Sequence, residues 1–522
     1  MTGGDITRPR ASAVPTTESG TVIWHREHLR VADQPAVATA IARADTVLPV
    51  FVFDPAFYGD DGLACDSRVR FLHECLRSLD TRYRQAMGAG LTYAHGDPVA
   101  VLDRFREAGW DIVAPATPTG RYGADRDRRA REQAGVRFVD GDGLVRGVEN
   151  TRADWQSAIE TYLEADPYPW RPDAAEIATV ETDITPEWIE SHYAIEPSKT
   201  RVPTGGIDAA RDQLEAFVDR IEAYPSNISA PQDAREGASG LSPYLRFGCL
   251  SVRQVYQYVR DHAPACRGRE MFCSRLVWNK HYEQKLEDWP GWLDQAVNPV
   301  LEGFNTDRYD PELVQAWKAG QTGYPMVDAA MRCLRETGWL NFRMRAMCAS
   351  VYFHILQQPW RIGADYFHHH LIDSEASINY TQWQSQCGLI GKPTLRLYNP
   401  RKQVRDQDPE GIFIRRWVPE LASLPDEHLD RPEATPLHVQ AEVGVEIGED
   451  YPRPVVDYDS ARQTFLQRFE AALPAAADAL GRTEIADRAS LSGGREAAKA
   501  IAADHGTDDD RSRQTQLGGF GG

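Results

Sequence analysis

Apolar and polar positions follow two different rhythms in the first 150 residues of the chain. Short apolar runs, of the length expected for buried parallel strands, alternate with longer stretches of helical periodicity. Two of those stretches, residues 67–87 and 97–109, open with a Ser or an Asp that can cap a helix. The predicted strands are TVIWH at 21–25, VLPVFVFDP at 47–55, DIVAPAT at 111–117 and VRFVDGD at 136–142. This alternation predicts a doubly wound α/β domain over residues 21–150.

The rest of the chain has other patterns. Helical periodicity dominates residues 216–475, where strand-like alternation is scarce, and an all-α domain is predicted there. Residues 151–215 are rich in Pro, Asp, Glu and Thr and are predicted to form an interdomain linker. The polar residues 1–20 predict a flexible leader, and residues 476–522, first Ala-rich and then Asp- and Gly-rich, predict a disordered tail.

Length and charge limit the classes of protein to consider. A chain of 522 residues is too long for one hydrophobic core, so two or more domains are expected. The formal net charge of -19 argues against a protein that holds nucleic acid by bulk positive charge, although it leaves a local basic face possible. Only 7 of the 58 basic residues are lysine, while Asp and Glu total 77, which predicts adaptation to a salt-rich cytoplasm.

Several classes of site find no support in the sequence. The eight cysteines form no CxxC pair, so no zinc or iron-sulfur site is predicted. Three consecutive histidines, His368 to His370, would point about 100° apart on a helix, and they are interpreted as surface residues rather than metal ligands. No run approaches the roughly 18 apolar residues of a membrane span, and no signal peptide is recognised. A soluble, cytoplasmic protein is predicted.

The densest chemistry lies in residues 322–421, where Trp, Arg, Asp and Asn recur with little filler between them. Ring systems beside charged groups in one helical body indicate a bound redox cofactor and an anionic partner. Upstream, in ASGLSPYLRFG, small residues let backbone amides approach an anion, and two serines offer hydroxyls at a predicted helix start. A pyrophosphate would fit there, and an ordinary capped turn is the alternative. The residues of this loop are Ala238, Ser239, Gly240, Leu241 and Ser242.

The order of these motifs resembles the cryptochrome/photolyase family of flavoproteins over roughly residues 21–425. WHREHLRVADQPAV looks like the family's first strand and loop, with Trp24, Arg26 and Asp33 in place. SGLSPYLRFGCLS resembles the loop that holds the flavin phosphates, and residues 322–421 resemble the flavin and DNA face. The resemblance implies an α/β antenna domain joined to a helical domain that holds FAD non-covalently, with FADH⁻ as the active form.

The same resemblance assigns residues to the flavin. Arg345 and Asp373 would lie beside the ring, where a fixed dipole stabilises the anionic reduced form; a structural salt bridge is the alternative. Glu375 stands where the family usually has Asp, and Asn379 corresponds to the position that faces flavin N5. The remaining FAD residues implied by the resemblance are Tyr224, Ser374 and the loop 238–242.

Two tryptophans are candidate electron donors to the flavin. Asn379 and Trp383 are four residues apart, so on a helix they share a face, and Trp383 is predicted to be the first donor. Trp360 matches the second donor of the family. Asp307 stands where a third, surface Trp is usual, and Tyr309 is a possible substitute. For each Trp the alternative is a large core residue.

The resemblance also places a DNA lesion. Trp278 stands where the family packs an indole against a flipped-out pyrimidine pair, and photolyases belong to the base-flipping enzymes. Ser385 replaces a second stacking Trp. Asn341 stands where a His is usual, and without that proton donor the preferred substrate is the cyclobutane dimer rather than the (6-4) photoproduct. The predicted DNA and lesion contacts are Arg275, Trp278, Phe342, Arg343, Ser385, Arg401 and Lys402, within a basic reserve that also contains Arg332, Arg335, Arg396, Arg405, Arg415 and Arg416.

The sequence therefore predicts a monomeric deoxyribodipyrimidine photo-lyase that repairs cyclobutane pyrimidine dimers in DNA by electron transfer from reduced FAD. The alternative is a cryptochrome-like blue-light sensor without repair activity, which Ser385 and the altered Trp chain favour. A third interpretation, an adenine-nucleotide binding protein with an unrelated helical appendage, is held as remote. The antenna chromophore is a deazaflavin or a folate, or none; PTGRYGADRDRR lacks the acidic residue expected of a folate site.

Overall fold

A computed structural model describes residues 14–59, 62 and 64–507. Most of the predicted leader, residues 1–13, lies outside the described residues, and so does the last part of the predicted tail, residues 508–522. The described part of the chain forms an α/β domain followed by a helical domain, as predicted.

The α/β domain is built on a parallel sheet with the strand order β3-β2-β1-β4-β5, and the short β6 pairs with the beginning of β2. Side chains of β1 alternate between two layers: Val22 and Trp24 pack against α3 and α4, while Ile23 packs against α1 on the other face. The sequence analysis did not predict two strands, the four-residue β3 and the two-residue β6. The elements are β1 (Gly20–His25), α1 (Pro35–Arg43), β2 (Thr46–Phe53), α2 (Asp66–Met87), β3 (Thr92–His95), α3 (Pro98–Glu107), β4 (Asp111–Pro115), α4 (Arg121–Ala134) and β5 (Arg137–Val139).

Residues 151–215 differ from the predicted linker because they carry folded elements that pack on both domains. Trp155, Ile159 and Leu163 are four residues apart and form one buried stripe of a helix, a pattern hidden by the acidic composition around it. The elements of this segment are α5 (Trp155–Glu164), β6 (Glu176–Ile177), α6 (Pro186–His192) and the first part of α7 (Ile207–Val218).

The helical domain surrounds a large core in which Trp317, Tyr324 and Tyr352 are fully buried. Helix α15 continues without a break into a π-helical turn, Val351–Ile355. The helices after α7 are α8 (Tyr224–Asn227), α9 (Pro231–Gly237), α10 (Ser242–Arg246), α11 (Val252–His262), α12 (Arg267–Asp288), α13 (Pro311–Ala319), α14 (Pro325–Thr337), α15 (Phe342–Ser350), α16 (Trp360–His370), α17 (Ala376–Cys387), α18 (Pro400–Gln407), α19 (Ile412–Trp417), α20 (Leu437–Val443), α21 (Tyr458–Leu480), α22 (Thr483–Ala489) and α23 (Gly494–His505).

The predicted disordered tail differs from the structure over residues 476–507, which contain the end of α21 and helices α22 and α23. Alanine has the highest helix propensity, and Ile485 and Leu491 join a buried cluster around Trp292. The ammonium of Lys285 on α12 donates to the carbonyl of Ser490 at 3.0 Å. The Ala-rich composition therefore marks a docked helical strap rather than a free tail.

A buried polar joint fixes one domain on the other. Asp33, after β1, accepts hydrogen bonds from the Ser251 hydroxyl at 2.5 Å and from Arg253 of α11, and its carboxylate also accepts from the Tyr168 amide at 3.0 Å. Arg30 donates to the carbonyl of Gly248 at 3.1 Å. Because these groups are buried and paired, the orientation of the two domains is fixed.

Candidate functional site

The loop 238–242 is held from behind by two side chains of α7 and of the turn that follows it. Gln213 donates to the carbonyl of Ser239 at 2.7 Å, and Arg220 donates to the carbonyl of Ala238 at 2.9 Å. Gly240 has a φ of 69°, and a Cβ at that position would lie 2.7 Å from the Gln213 amide nitrogen. A side chain at Gly240 would therefore be strained in this left-handed conformation and would meet Gln213 behind the loop.

Asp373 joins this loop to helix α15. It accepts a hydrogen bond from the Ser242 hydroxyl at 2.7 Å, and Arg345 donates to both carboxylate oxygens at 3.0 and 2.8 Å. Arg345 also donates through Nε to the carbonyl of Leu340 at 2.8 Å. The Asp373 side chain is 4 % exposed, so the pair is a fixed dipole in a poorly solvated place. The structure brings the predicted pair together, and its contact with a flavin stays a prediction.

Arg246 is a site residue that the sequence analysis missed. It donates through Nε to the carbonyl of Ser374 at 2.9 Å, and its Nη1 lies 3.2 Å from Glu375 and 3.3 Å from Glu27 of the α/β domain. Burial raises the pKa of Glu375 above its usual value, against the opposing effect of the Arg246 charge. The signal was present, since an Arg at the end of SPYLR and an acid at the start of α17 are natural partners across the site.

Asn379 and the two predicted electron donors lie on the facing helices α16 and α17. The Asn379 side-chain amide donates to the carbonyl of Ala364 at 2.9 Å. The indole of Trp383 is buried and packs on Gly363, where an added Cβ would lie 2.4 Å from the ring. Trp360 is buried one turn earlier on α16. Both indoles belong to the hydrophobic core, so their packing and the predicted electron transfer are compatible roles.

The position of the missing third Trp is filled by an ion pair. Asp307 lies 3.1 Å from Arg468, and an aspartate cannot act as a one-electron donor. Tyr309, two residues later, is 53 % exposed, and the loop is anchored by the Asp310 amide, which donates to Gln358 at 2.8 Å. Tyr309 therefore lies near the segment that precedes Trp360. Among the described residues, the rings of Tyr309 and Trp360 make no contact with each other.

An exposed aromatic surface lies where α12 meets α15. Trp278 is 44 % exposed and Phe342 is 45 % exposed, and the guanidinium of Arg275 lies over the Phe342 ring at 5.9 Å. Behind Trp278 lies His281, with ring centroids 4.9 Å apart. Burial lowers the pKa of His281 to about 2, so this imidazole is neutral at ordinary pH. Three of the predicted lesion residues are thus gathered on one face.

Two other predicted or discussed residues have structural roles. Asn341 caps α15 and donates through its amide to the carbonyls of Ile228 and Ser229 at 3.1 and 2.9 Å. The Ser385 hydroxyl donates to the carbonyl of Thr381 in its own helix at 2.7 Å. The Ser385 hydroxyl and the Asn341 side-chain amide both donate to backbone carbonyls, so neither group is free to transfer a proton in this arrangement.

The predicted basic residues of the DNA face differ in whether a carboxylate lies beside them. Arg401 lies 2.7 Å from Glu433 and Lys402 lies 4.0 Å from Asp406, so both predicted DNA contacts are partly neutralised. Arg343 differs, because it donates to the Ser229 hydroxyl at 3.4 Å and its buried Nε has no hydrogen-bond partner within the described residues. The other residues of the reserve with a carboxylate partner are Arg332, Arg405 and Arg415.

The three histidines were predicted to be surface residues, and the structure leaves each of them half-buried. They end α16 against the α/β domain: the carbonyl of His369 accepts from the Cys65 amide at 3.1 Å, and His368 contacts the Ser374 hydroxyl at 2.8 Å through Nδ1. Desolvation lowers the pKa of His370 to about 3. Within residues 14–59, 62 and 64–507 no group of three or more metal-binding side chains converges, and in the same residues no helix is long and apolar enough to cross a membrane.

The fold and this site define a class of protein. A parallel α/β domain is fixed to a helical domain that carries the glycine-containing loop 238–242, a buried ion pair and an exposed aromatic surface. Residues 21–162 match the family model described as DNA photolyase, and residues 272–471 match the FAD binding domain of DNA photolyase. The chain belongs to the photolyase/cryptochrome family.

Similar proteins carry both names of the family. The deoxyribodipyrimidine photo-lyase of Halobacterium salinarum is 30% identical over 497 residues, which cover 86% of this chain and 99% of that protein. Cryptochrome-2 of Arabidopsis thaliana is 31% identical over 479 residues, which cover 85% of this chain and 77% of that protein. The crystal structure of a class III photolyase from Agrobacterium tumefaciens is 26% identical, with a TM-score of 0.73 over 87% of this chain and 98% of that one. An FAD-binding domain is present, and the family is shared by repair enzymes and cryptochromes.

Proposed function

We propose that this protein is a deoxyribodipyrimidine photo-lyase, a monomer that splits cyclobutane pyrimidine dimers in DNA with light. The observation that carries the proposal is the exposed surface of Trp278, Phe342 and Arg275. Most large aromatic side chains of the helical domain are buried, so an exposed Trp one helical turn from Arg275 and an exposed Phe beneath that guanidinium are placed to contact a ligand. An indole stacks on any base face, and an adjacent guanidinium adds attraction to phosphate.

The residues present fit FAD. The backbone amides of the loop 238–242 could face a phosphate, and the Arg345–Asp373 dipole would give an anionic ring a charged neighbour without an unpaired buried charge. Tyr224, Ser239, Ser242 and Asn379 would complete the site. When bound, FADH⁻ supplies an electron to the dimer on excitation by light and recovers it after the ring opens, so that no net redox change results.

The residues of this chain position the lesion. Trp278 would stack against the flipped pyrimidine pair, and Phe342 would close the pocket from α15. Arg275 and Arg343 would hold the phosphates that flank it, since no carboxylate neutralises Arg343 among the described residues. Arg401 and Lys402 would contribute less, because each already has an acidic partner.

The choice of a cyclobutane dimer rests on two groups at this surface that are not placed to donate a proton. His281, the histidine beside Trp278, is neutral because burial lowers its pKa to about 2, and Asn341 is engaged in capping α15. Cleavage of a cyclobutane ring needs an electron and no proton donor, whereas a (6-4) photoproduct needs one. The arrangement therefore supports the dimer as substrate.

An antenna chromophore, a deazaflavin rather than a folate, would lie at the carboxyl end of β1. Buried ring nitrogens of His25 and His28 and the buried amide nitrogen of Gln34 have no hydrogen-bond partner within the described residues, and ligands of doubly wound domains bind at this edge of the sheet. An excitation spectrum of flavin emission tests this: a band that is absent from the flavin absorption spectrum supports an antenna, and two identical spectra contradict it.

The central experiment irradiates reduced protein with dimer-containing oligothymidine and follows recovery of base absorbance near 260 nm. Recovery by the wild type and its loss in Trp278→Ala, with flavin content unchanged, is the expected result. If absorbance does not recover while FADH⁻ stays intact, a cryptochrome-like sensor is the function instead. The alternative has one specific observation in its favour, which is that the Ser385 side chain bonds within its own helix and offers no ring for stacking.

A further inference from the structure

A tyrosine and a carboxylate extend the predicted tryptophan pair toward water. The Tyr380 ring is 6.4 Å from the Trp360 ring, measured between centroids, in an edge-to-face arrangement of 84°. Its hydroxyl donates to Asp365 Oδ1 at 2.6 Å. Tyr380 and Trp360 are buried, whereas the Asp365 side chain is 47 % exposed. The sequence Trp360, Tyr380, Asp365 thus leads from the core to solvent.

We propose that Tyr380 is the terminal electron donor of this relay, giving an electron to oxidised Trp360 and its phenol proton to Asp365. The inference rests on the proposed function for its bound flavin; in the oxidised form and under light, that flavin would supply the oxidising power, and Trp383 would pass the electron on to it. The Trp360 radical cation becomes neutral indole, Tyr380 becomes a neutral phenoxyl radical, and the Asp365 carboxylate becomes a carboxylic acid. A small external thiol then gives one hydrogen atom to the phenoxyl radical and restores Tyr380.

The carboxylate is the reason for choosing Tyr380. An oxidised phenol is a strong acid. Oxidation of the tyrosine therefore becomes irreversible only when a base within hydrogen-bond distance takes the phenol proton. An ionised Asp is an acceptor with free lone pairs, and its contact with solvent lets the proton move on. Arg361 also donates to Asp365 Oδ1 through Nε at 2.7 Å, which fixes the carboxylate beside the phenol.

The same surroundings keep the Tyr380 phenol protonated in the resting protein. Burial and the Asp365 charge raise the pKa of Tyr380 above its ordinary value, so the proton leaves only when the ring is oxidised. Other charged or titratable groups near the ring are the Arg361 guanidinium at 5.4 Å, the His368 ring at 5.5 Å and Arg68, whose charge acts on the phenol from farther away. Desolvation lowers the pKa of His368, which leaves Asp365 as the base.

Two other tyrosines are rivals and become matched controls. Tyr366 lies 5.7 Å from Trp317, whose ring is 6.1 Å from Trp383, so it is on a second ring path from the same donor. Its hydroxyl donates to the backbone carbonyl of Lys318 at 3.0 Å, and a carbonyl is too weak a base to take the proton. Tyr309 is exposed and has no ring neighbour in the described part of the chain.

The test uses the full flavin-loaded protein in the oxidised form, illuminated and examined by electron paramagnetic resonance with ring-deuterated tyrosine. The wild type is expected to give a tyrosyl signal that narrows on deuteration. Tyr380→Phe is expected to lose it and to show a tryptophan radical instead, while Tyr366→Phe and Tyr309→Phe keep it. Asp365→Asn should slow tyrosine oxidation by about 100-fold, the usual contribution of a positioned base. Flavin content and the thermal midpoint of each variant verify that it is folded and loaded.

The outcomes separate this inference from the repair proposal. A tyrosyl signal that survives in Tyr380→Phe, that disappears in either control variant, or that the wild type never forms would overturn the role of Tyr380. Dimer repair by chemically reduced protein does not use the relay and should be equal in all four variants and the wild type. Absent repair with a Tyr380-dependent radical would defeat only the proposed function, and repair without such a radical would defeat only the relay.

Discussion

The cofactor region and the lesion surface of the helical domain are built on opposite principles. Around the loop 238–242, every charged group named above has a partner: Ser242 and Arg345 meet on Asp373, and Arg246 lies between two acids. On the lesion surface, Trp278 and Phe342 stand exposed, and the Nε of Arg343 has no partner within the described residues. Preorganised polar groups suit a resident cofactor, whereas unfilled apolar and cationic groups suit a ligand that comes and goes.

The largest effect is expected in the cofactor region, for Asp373→Ala. The variant leaves the Arg345 guanidinium without its carboxylate and Ser242 without its acceptor, so stability should fall by about 3 kcal/mol and FAD should be lost. Urea unfolding and the flavin absorbance of purified protein measure both. Glu132→Ala removes an exposed i,i+4 pair with Arg128 instead and should leave stability and flavin content nearly unchanged. Equal effects of the two variants would show that the buried pair contributes no more than a surface pair.

A smaller effect is expected on the lesion surface, for Trp278→Ala. Loss of a stacking ring should weaken binding of dimer-containing DNA by about 1–3 kcal/mol and leave stability and flavin content nearly unchanged, because the side chain is half exposed. Fluorescence titration with a labelled oligonucleotide gives the affinity. Tyr309→Ala, which removes another exposed ring, should bind as the wild type does; a Trp278 variant that loses flavin would show that this side chain belongs to the cofactor region.

Acid should destabilise the packing of His281 behind Trp278. The pKa of His281 is lowered to about 2 in the folded protein, while an unfolded His titrates near 6.5, so between these values the unfolded state binds more protons. The stability contributed by the neutral ring is therefore complete above about pH 6.5 and falls by about 1.4 kcal/mol per pH unit below it. Comparing unfolding of wild type and His281→Gln at pH 7 and 5.5 should show a smaller loss in the variant. His438→Gln, at an exposed position, should follow the wild type.

The smallest effect should come from single phosphate contacts. Arg343→Gln is expected to reduce the slope of log affinity against log salt concentration by about 1 for any DNA sequence. Arg401→Gln should change the slope less, because Glu433 already neutralises that charge. DNA binding measured across a salt series decides between them, and a larger change for Arg401 would mean that its ion pair opens on the complex.

The fold class could be predicted from the sequence because apolar runs and helix starts are local patterns, whereas the contact between Arg345 and Asp373 was implied by the resemblance to the family. Other features depend on partners distant in the chain. Tyr380 becomes notable only beside Asp365 and Trp360, on the neighbouring helix α16. The histidines 368–370 become half-buried because the α/β domain covers the end of α16.

Composition misled the prediction in two segments for the same reason. Residues 151–215 and 476–507 are acidic or Ala-rich, and average composition does not reveal a stripe of buried residues such as Trp155, Ile159 and Leu163. A helix needs only one apolar face to dock, and that face can be a small fraction of its residues. Periodicity within each segment, rather than its mean polarity, is the signal that predicts docking.

Because residues 476–507 dock on α12, the final packing of α12 also depends on the order in which the chain is synthesised. The Lys285 ammonium is buried under the carbonyls of Ala489 and Ser490, which follow it by 204 and 205 residues. At typical rates of translation those carbonyls leave the ribosome about 10–40 s after Lys285 does. During that interval the ammonium must stay in water, so the helix that carries Trp278 reaches its final packing only when the chain is nearly finished.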